Sequence, residues 1–305
     1  MSNTIKYIVF IALNIAFTYE SNFLTLWGNC TLINHSKSLS NEKLINIIEI
    51  EIGKLNQQYK PIAKRPFTII VTNNNNLNVS SSHWKWSLGI TYKNPDKIII
   101  KDLALSKISL QRFVKVMHHE LNHIMINRTK NVHTIPRWFK EGFAMKTANE
   151  ISMYHKLKIA SKINNQDLFD LNNYASFINM NRSEFQFAYA ISAGSILVLE
   201  NLYGPNIIET IIQYLSDGYN FNEAFFNSTM ITIDDFYTLF YEEIKNNFFW
   251  IKLINLPKNL FVIMPFLLII GFYIKSYKNR KIIKQWELEE KLEKELEKLN
   301  NTDIN

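Results

Sequence analysis

The sequence predicts an α+β fold: a small mixed sheet packed on helices, then a helical C-terminal subdomain, then one transmembrane helix. Three observations predict it. Apolar residues recur at three- and four-residue steps over 41–59 and again over 109–127, which is helical spacing. Between them lie short β-branched runs closed by turn residues. Near the end, an apolar stretch over 253–274 is followed by a basic run, the pattern of a membrane span and its cytoplasmic flank.

The chain has 305 residues, 47% hydrophobic and 20% charged, enough for one moderate domain or two subdomains around a sizeable core. Its formal net charge is +7, part of it concentrated in the basic run after residue 274. No basic stripe interleaved with aromatics occupies the middle of the chain, so nucleic acid is not an expected partner. The single cysteine, Cys30, excludes an intrachain disulfide framework and Cys-rich zinc ligation.

Lys6 precedes an apolar run from Tyr7 to Phe17. The run is short for a spanning helix and fits the apolar region of a secretion signal, so residues 1–22 read as a signal peptide or an N-terminal anchor. A buried core helix is the competing reading. A lipoprotein attached through Cys30 is a third, weakened by Trp27 and Asn29, which suit lipid attachment poorly. Asn41 to Tyr59 forms a helix with Leu44, Ile47, Ile48, Ile52 and Leu55 on its apolar face and Pro61 just past its end. Phe67–Thr72 is a strand. Ile90–Tyr92 and Ile98–Ile100 flank the turn residues Asn94, Pro95 and Asp96 and read as two further strands.

The next helix, from about Ser109 to Asn127, carries His119-Glu120-Leu121-Asn122-His123. Positions four apart share a helix face, so both imidazoles reach one metal ion, and Glu120 reaches a water on that ion without binding it. This is the mechanical content of a zinc peptidase motif. His118 points about 100° away around the helix, and reads as a supporting or solvent-facing residue rather than a ligand. A catalytic zinc site needs a third protein ligand. The best candidate is Glu141, on a helix opened by Pro136; a first-turn acid complementing the helix dipole is the bland alternative. His133 is a less favoured third ligand, and the position six residues beyond His123 is Thr129. Gly142 would relieve crowding where two helices meet near the metal.

The His119–His123 motif followed by Pro136-Arg137-Trp138-Phe139-Lys140-Glu141-Gly142 resembles the gluzincin metallopeptidases, in particular the bacterial peptidase-MA-like domains. Trp84–Gly89 with Ile98–Ile100 is similar to the family's edge strand. Phe187–Ala190, Leu197–Gly204 and Phe221–Phe226 with Phe236 are similar to its helical part, so the likeness spans roughly residues 40–248. It implies a zincin-like fold with the site in a cleft, one Zn2+ ion held by His119, His123 and Glu141, and Glu120 as general base. It also implies a second oxyanion donor from the helical part, for which Tyr189 is the candidate; a tyrosine anchoring the core is the equal alternative. The edge strand would bind substrate backbone, with Trp84 and Trp86 lining the groove or packing in the core.

The expected organisation is residues 1–22 as leader or anchor, 23–130 as the N-terminal subdomain, 131–250 as the helical subdomain, 251–275 as the membrane helix, and 276–305 as a cytoplasmic tail. Phe248, Phe249 and Trp250 suit an interfacial belt, while Lys275, Lys278, Arg280, Lys281 and Lys284 place the tail inside and the catalytic part outside. A core helix is again the competing reading. The tail carries Leu288, Leu292, Leu296 and Leu299 on one stripe, a potential partner helix or a solvated one. Two functions follow: a membrane-anchored zinc peptidase acting on proteins or peptides, or a non-catalytic surface protein retaining the fold for binding. An intramembrane protease is disfavoured because Lys107, Arg112, Lys115 and Arg128 flank the motif helix.

Overall fold

A computed structural model describes residues 19–59, 63–74, 84, 86–177, 180–254 and 257–302. Most of the proposed leader lies outside the described residues. Its last residues do not: strand β1 (Tyr19–Thr25) already begins inside the 1–22 segment. β1 and β2 (Gly28–Asn34) form an antiparallel hairpin that the sequence analysis left unassigned. Its turn requires Gly28, which has φ +117°; a Cβ there would lie 2.6 Å from the Arg65 carbonyl oxygen.

Helix α1 (Asn41–Gln58) starts where the Ser40 side chain accepts a hydrogen bond from the Lys43 amide. It buries Leu44, Ile47, Ile48, Ile52 and Leu55, as its spacing predicts. β3 (Phe67–Thr72), β4 (Gly89–Tyr92) and β5 (Lys97–Lys101) complete a sheet of order β1-β2-β3-β5-β4. The β2/β3 and β3/β5 pairs are parallel, and β4 runs antiparallel to β5 at the outer edge. A short helix, α2 (Leu103–Ser106), leads to α3 (Leu110–Asn127), capped by the Ser109 side chain on the Arg112 amide. α3 is buried without interruption from Val116 to Asn122, so the polar motif residues sit inside the protein, not on a wetted face.

The helical part begins with α4 (Arg137–Thr147), for which Pro136 is the cap rather than the first helical residue. It continues through α5 (Met153–Lys162), α6 (Arg182–Tyr203), α7 (Ile207–Asp217), α8 (Phe221–Thr229) and α9 (Ile233–Ile254). α6 is closed at its start by a reciprocal Asn181–Glu184 capping box. Its small residues Ala188, Ala190, Ala193 and Gly194 are buried, and Gly194 faces Ile159 of α5 and Ile244 of α9. The crossing of α4 and α6 is so tight that a Cβ on Gly142 would overlap the Ser192 carbonyl oxygen. Trp138 and Phe139 pack on Phe221, and Trp138 also stacks on Phe236, tying α4 to α8 and α9.

The chain divides into two compact units, one ending at Ile251 and the other starting at Lys252. The first holds both subdomains inferred from the sequence. The second is dominated by α10 (Pro257–Thr302), 46 residues long with Pro265 inside it. Its apolar side chains stand exposed, with Phe266 62%, Leu268 70% and Phe272 70% accessible. The side chains of Phe249, Trp250 and the tail leucines lie outside the described residues. Among the described residues, one helix is long and apolar enough to cross a membrane by length and composition, and that helix is the mostly buried α6.

Candidate metal centre

α3 presents His119 and His123 on one face, with their Nε2 atoms 3.1 Å apart. α4 delivers Glu141 from the opposite side, its Oε2 lying 3.4 Å from each of those nitrogens. The three ligand atoms therefore form a nearly equilateral triangle. A tetrahedral ion with bonds of about 2.0–2.1 Å has ligand-to-ligand edges of about 3.3 Å, so the triangle fits such an ion. Glu141 Oε2 is fully buried and has no hydrogen-bond partner. A buried carboxylate oxygen left so is costly, and a cation held between the three groups would satisfy it. His133 is exposed and takes no part.

Two of the three are held by a second group. His119 Nδ1 meets Glu150 Oε2 at 2.8 Å, and Glu150 Oε1 meets Arg112 at 2.9 Å. That contact fixes the ring so that Nε2 faces the centre. Arg137 donates from Nε to Glu141 Oε1 at 2.8 Å. Burial disfavours charge on both partners, yet the neighbouring His123 and Arg137 hold Glu141 well below the usual carboxylate range. Against the same burial, Glu141 and Glu150 lift His119 well above the usual imidazole range.

Glu120 lies beside this triangle without joining it. The Thr91 hydroxyl donates to its Oε2 at 2.6 Å, and β4 runs directly over it. Any Cβ on Gly89 would fall 2.7 Å from Glu120 Oε1, so only glycine lets the strand pass this close. Burial raises the Glu120 carboxyl above its ordinary range, although His119, His123 and Thr91 pull it the other way. Tyr189 reaches the site from α6, its ring stacked at 6.5 Å on His119. Burial and then the Glu141 charge keep its hydroxyl protonated to well above the usual tyrosine range.

Two cavities of about 360 and 350 Å³ open on either side of the triangle and share Gly89, Glu120 and Tyr189 in their walls. Trp86 lines the first, whereas Trp84 is buried, with Lys101 donating to its carbonyl oxygen. Of the two tryptophans offered for the groove, only Trp86 borders it. The second cavity includes Lys140, whose ammonium is brought down to about 8 by burial and then by the charges of Arg137 and Lys93. His118 faces neither cavity and does not face solvent. It is buried against α1, its Nδ1 2.8 Å from Glu51 Oε2.

Sequence reasoning missed Glu150, Arg112, Arg137 and Thr91. Arg137 had a signal, since it precedes Glu141 by four residues on one helix. Glu150 had a fainter one in Asn149. That residue takes φ +51°, and the Asn149 and Glu150 amides bond back to Lys146 and Met145. This is a Schellman ending, and it folds Glu150 back towards His119.

A buried two-histidine, one-glutamate triangle with an adjacent free glutamate, under the edge strand of a mixed sheet, defines the class of zincin-like metallopeptidases. The chain belongs to the peptidase MA superfamily, whose profile matches residues 50–245. A solved structure of an aminopeptidase N family protein from Idiomarina loihiensis is similar at TM-score 0.43 and 14% identity, over 73% of this chain and 46% of that one. This chain thus spans about half the length of that protein. No curated protein matches the chain.

Proposed function

We propose that the protein is a membrane-anchored zinc peptidase that hydrolyses peptide bonds in protein or peptide substrates outside the cytoplasm. The observation that carries the chemistry is the His119–His123–Glu141 triangle with its orphaned carboxylate oxygen. Zinc held by these three residues would supply Lewis acidity and an activated water. Glu120, held by Thr91 and not needed as a ligand, takes the water's proton and returns it to the leaving amine. The Tyr189 hydroxyl, kept protonated, donates to the developing oxyanion. The outer edge of β4, unpaired among the described residues, accepts the substrate backbone by strand addition, with Gly89 bringing it close to Glu120.

Metal analysis of the purified full chain tests the centre. One zinc per chain is expected, and His123→Ala should abolish it while a folded circular dichroism spectrum remains. A correctly folded wild type that takes up no metal would sink the proposal. Glu150 acts through His119, so Glu150→Gln should weaken zinc binding about 10- to 100-fold. Competition with a chelator reads this directly, and unchanged affinity would remove Glu150 from the support of the site.

The membrane part of the proposal rests on α10. Its apolar side chains from Ile263 to Ile274 are exposed, as lipid-facing side chains would be. Pro265 and Gly271 are tolerable in such a helix. The basic residues from Lys275 to Lys284 then put the tail in the cytoplasm. A cysteine placed in the tail should be labelled by a membrane-impermeant reagent only after cells are opened. Labelling on intact cells would overturn this topology.

A further inference from the structure

Resting on the peptidase reading above, we infer that the enzyme prefers a carboxylate side chain on the N-terminal side of the scissile bond, received by Lys93, Arg137 and Lys140. These three cations line one cavity, on the His123 side of the triangle. They come from two places: Lys93 follows β4 directly, and Arg137 and Lys140 stand on the first turn of α4. The carboxylates in that cavity are Glu120 and Glu141, and neither pairs with Lys93 or Lys140. Glu120 accepts from Thr91, while Glu141 faces the two histidines and pairs with Arg137 through Nε. Among the described residues, no carboxylate lies within ion-pair distance of Lys93 or Lys140. α4 also starts without a side-chain cap or an acidic residue in its first turn, so its positive end adds to the field.

Two of these three cations, Lys93 and Lys140, have no ion-pair partner among the described residues, and such a cleft concentrates anions. Its position relative to β4 gives the direction. Antiparallel addition, the more stable pairing, lays the N-terminal half of a substrate beside Tyr92 and Lys93, at the end of β4 that borders this cavity. A glutamate or aspartate within the residues preceding the scissile bond then reaches the three cations. A lysine there meets the like charges of Lys93 and Lys140.

The test uses the zinc-loaded full chain in detergent and quenched peptides carrying Glu, Gln or Lys before the scissile bond, with cleavage mapped by mass spectrometry. The Glu peptide should exceed the Gln peptide in kcat/KM by about tenfold, as for a charge-assisted hydrogen bond, and the ratio should shrink as salt is raised. In Lys93→Gln/Lys140→Gln the ratio should fall towards one, and in Lys93→Glu/Lys140→Glu the Lys peptide should become the better substrate. Each ratio is internal to one variant, so a partial loss of folded protein cancels. Cleavage without a charge preference, or with an acidic preference only after the scissile bond, overturns the inference and leaves the peptidase reading standing. If no peptide is cleaved, anisotropy of labelled peptides on the zinc-loaded Glu120→Gln protein decides. A Glu-over-Gln affinity ratio keeps the anion site and removes the peptidase reading; equal affinities, or no binding, overturn both.

Discussion

Glu120→Gln is expected to lower kcat by about 10²- to 10⁴-fold, the contribution of a general base, while zinc stoichiometry and thermal stability stay at wild-type values. The expectation has a specific structural basis. Glu120 lies beside the triangle only as a neighbour, because the atoms placed to hold an ion come from His119, His123 and Glu141. The amide keeps the volume of the carboxylate, so the tight passage beneath Gly89 is preserved. Its remaining oxygen still accepts from the Thr91 hydroxyl. What disappears is the group that accepts a proton. Zinc content, melting temperature and turnover measured on the same preparation separate the possibilities. A large loss of zinc would make Glu120 a ligand and would require the triangle to be redrawn. Retained turnover would move the base elsewhere in the site. A loss of KM alone, with kcat intact, would assign Glu120 to substrate binding instead.

The difference between what the sequence disclosed and what it concealed follows from the range of the interactions. The motif residues are legible because a helix makes four-residue spacing a spatial statement, and Glu141 is legible because zinc chemistry demands a third ligand. α3 and β3 end where their caps and turn residues say they should. The hairpin of β1 and β2 stayed hidden because its polar residues Glu20, Ser21, Asn22 and Thr31 dilute the alternation, and its first strand overlaps an expected leader. Glu150 and Thr91 stayed hidden for another reason. Each meets the motif helix across about thirty residues of chain, His119 to Glu150 and Thr91 to Glu120, and no local pattern encodes such a pairing. For His118, helical phase told only where it does not point. The carboxylate it meets is on α1, 67 residues away.

The largest stability effect is expected at Arg128, which read as a charged flank of the motif helix and is in fact a buried keystone at its end. Its side chain has no solvent exposure. Nε donates to Asp96 in the β4–β5 turn at 2.7 Å, Nη1 to the carbonyls of Trp27 and Ala63, and Nη2 to that of Arg65 at 2.9 Å. One guanidinium thus ties the C-terminus of α3 to the hairpin turn, the approach to β3 and the edge hairpin. Arg128→Ala takes this donor from Asp96 and from the Ala63 and Arg65 carbonyls, while the Trp27 carbonyl keeps the Arg65 amide; breaking the buried pair costs about 3–5 kcal/mol. For a unit of this size each kcal/mol moves the melting temperature by about 2–4 °C, so a fall of about 6–20 °C is expected in calorimetry. Arg128→Lys should recover only part of it, because an ammonium can pair with Asp96 but cannot span the forked set of carbonyls. Asp96→Asn, which keeps an acceptor for Nε, should cost less than either. If Arg128→Ala melts within 2 °C of the wild type, the network is a consequence of the packing around α3 and not a cause of it. A variant that melts low and also loses zinc would mean that the same side chain sets the register between the motif helix and the strand that roofs Glu120.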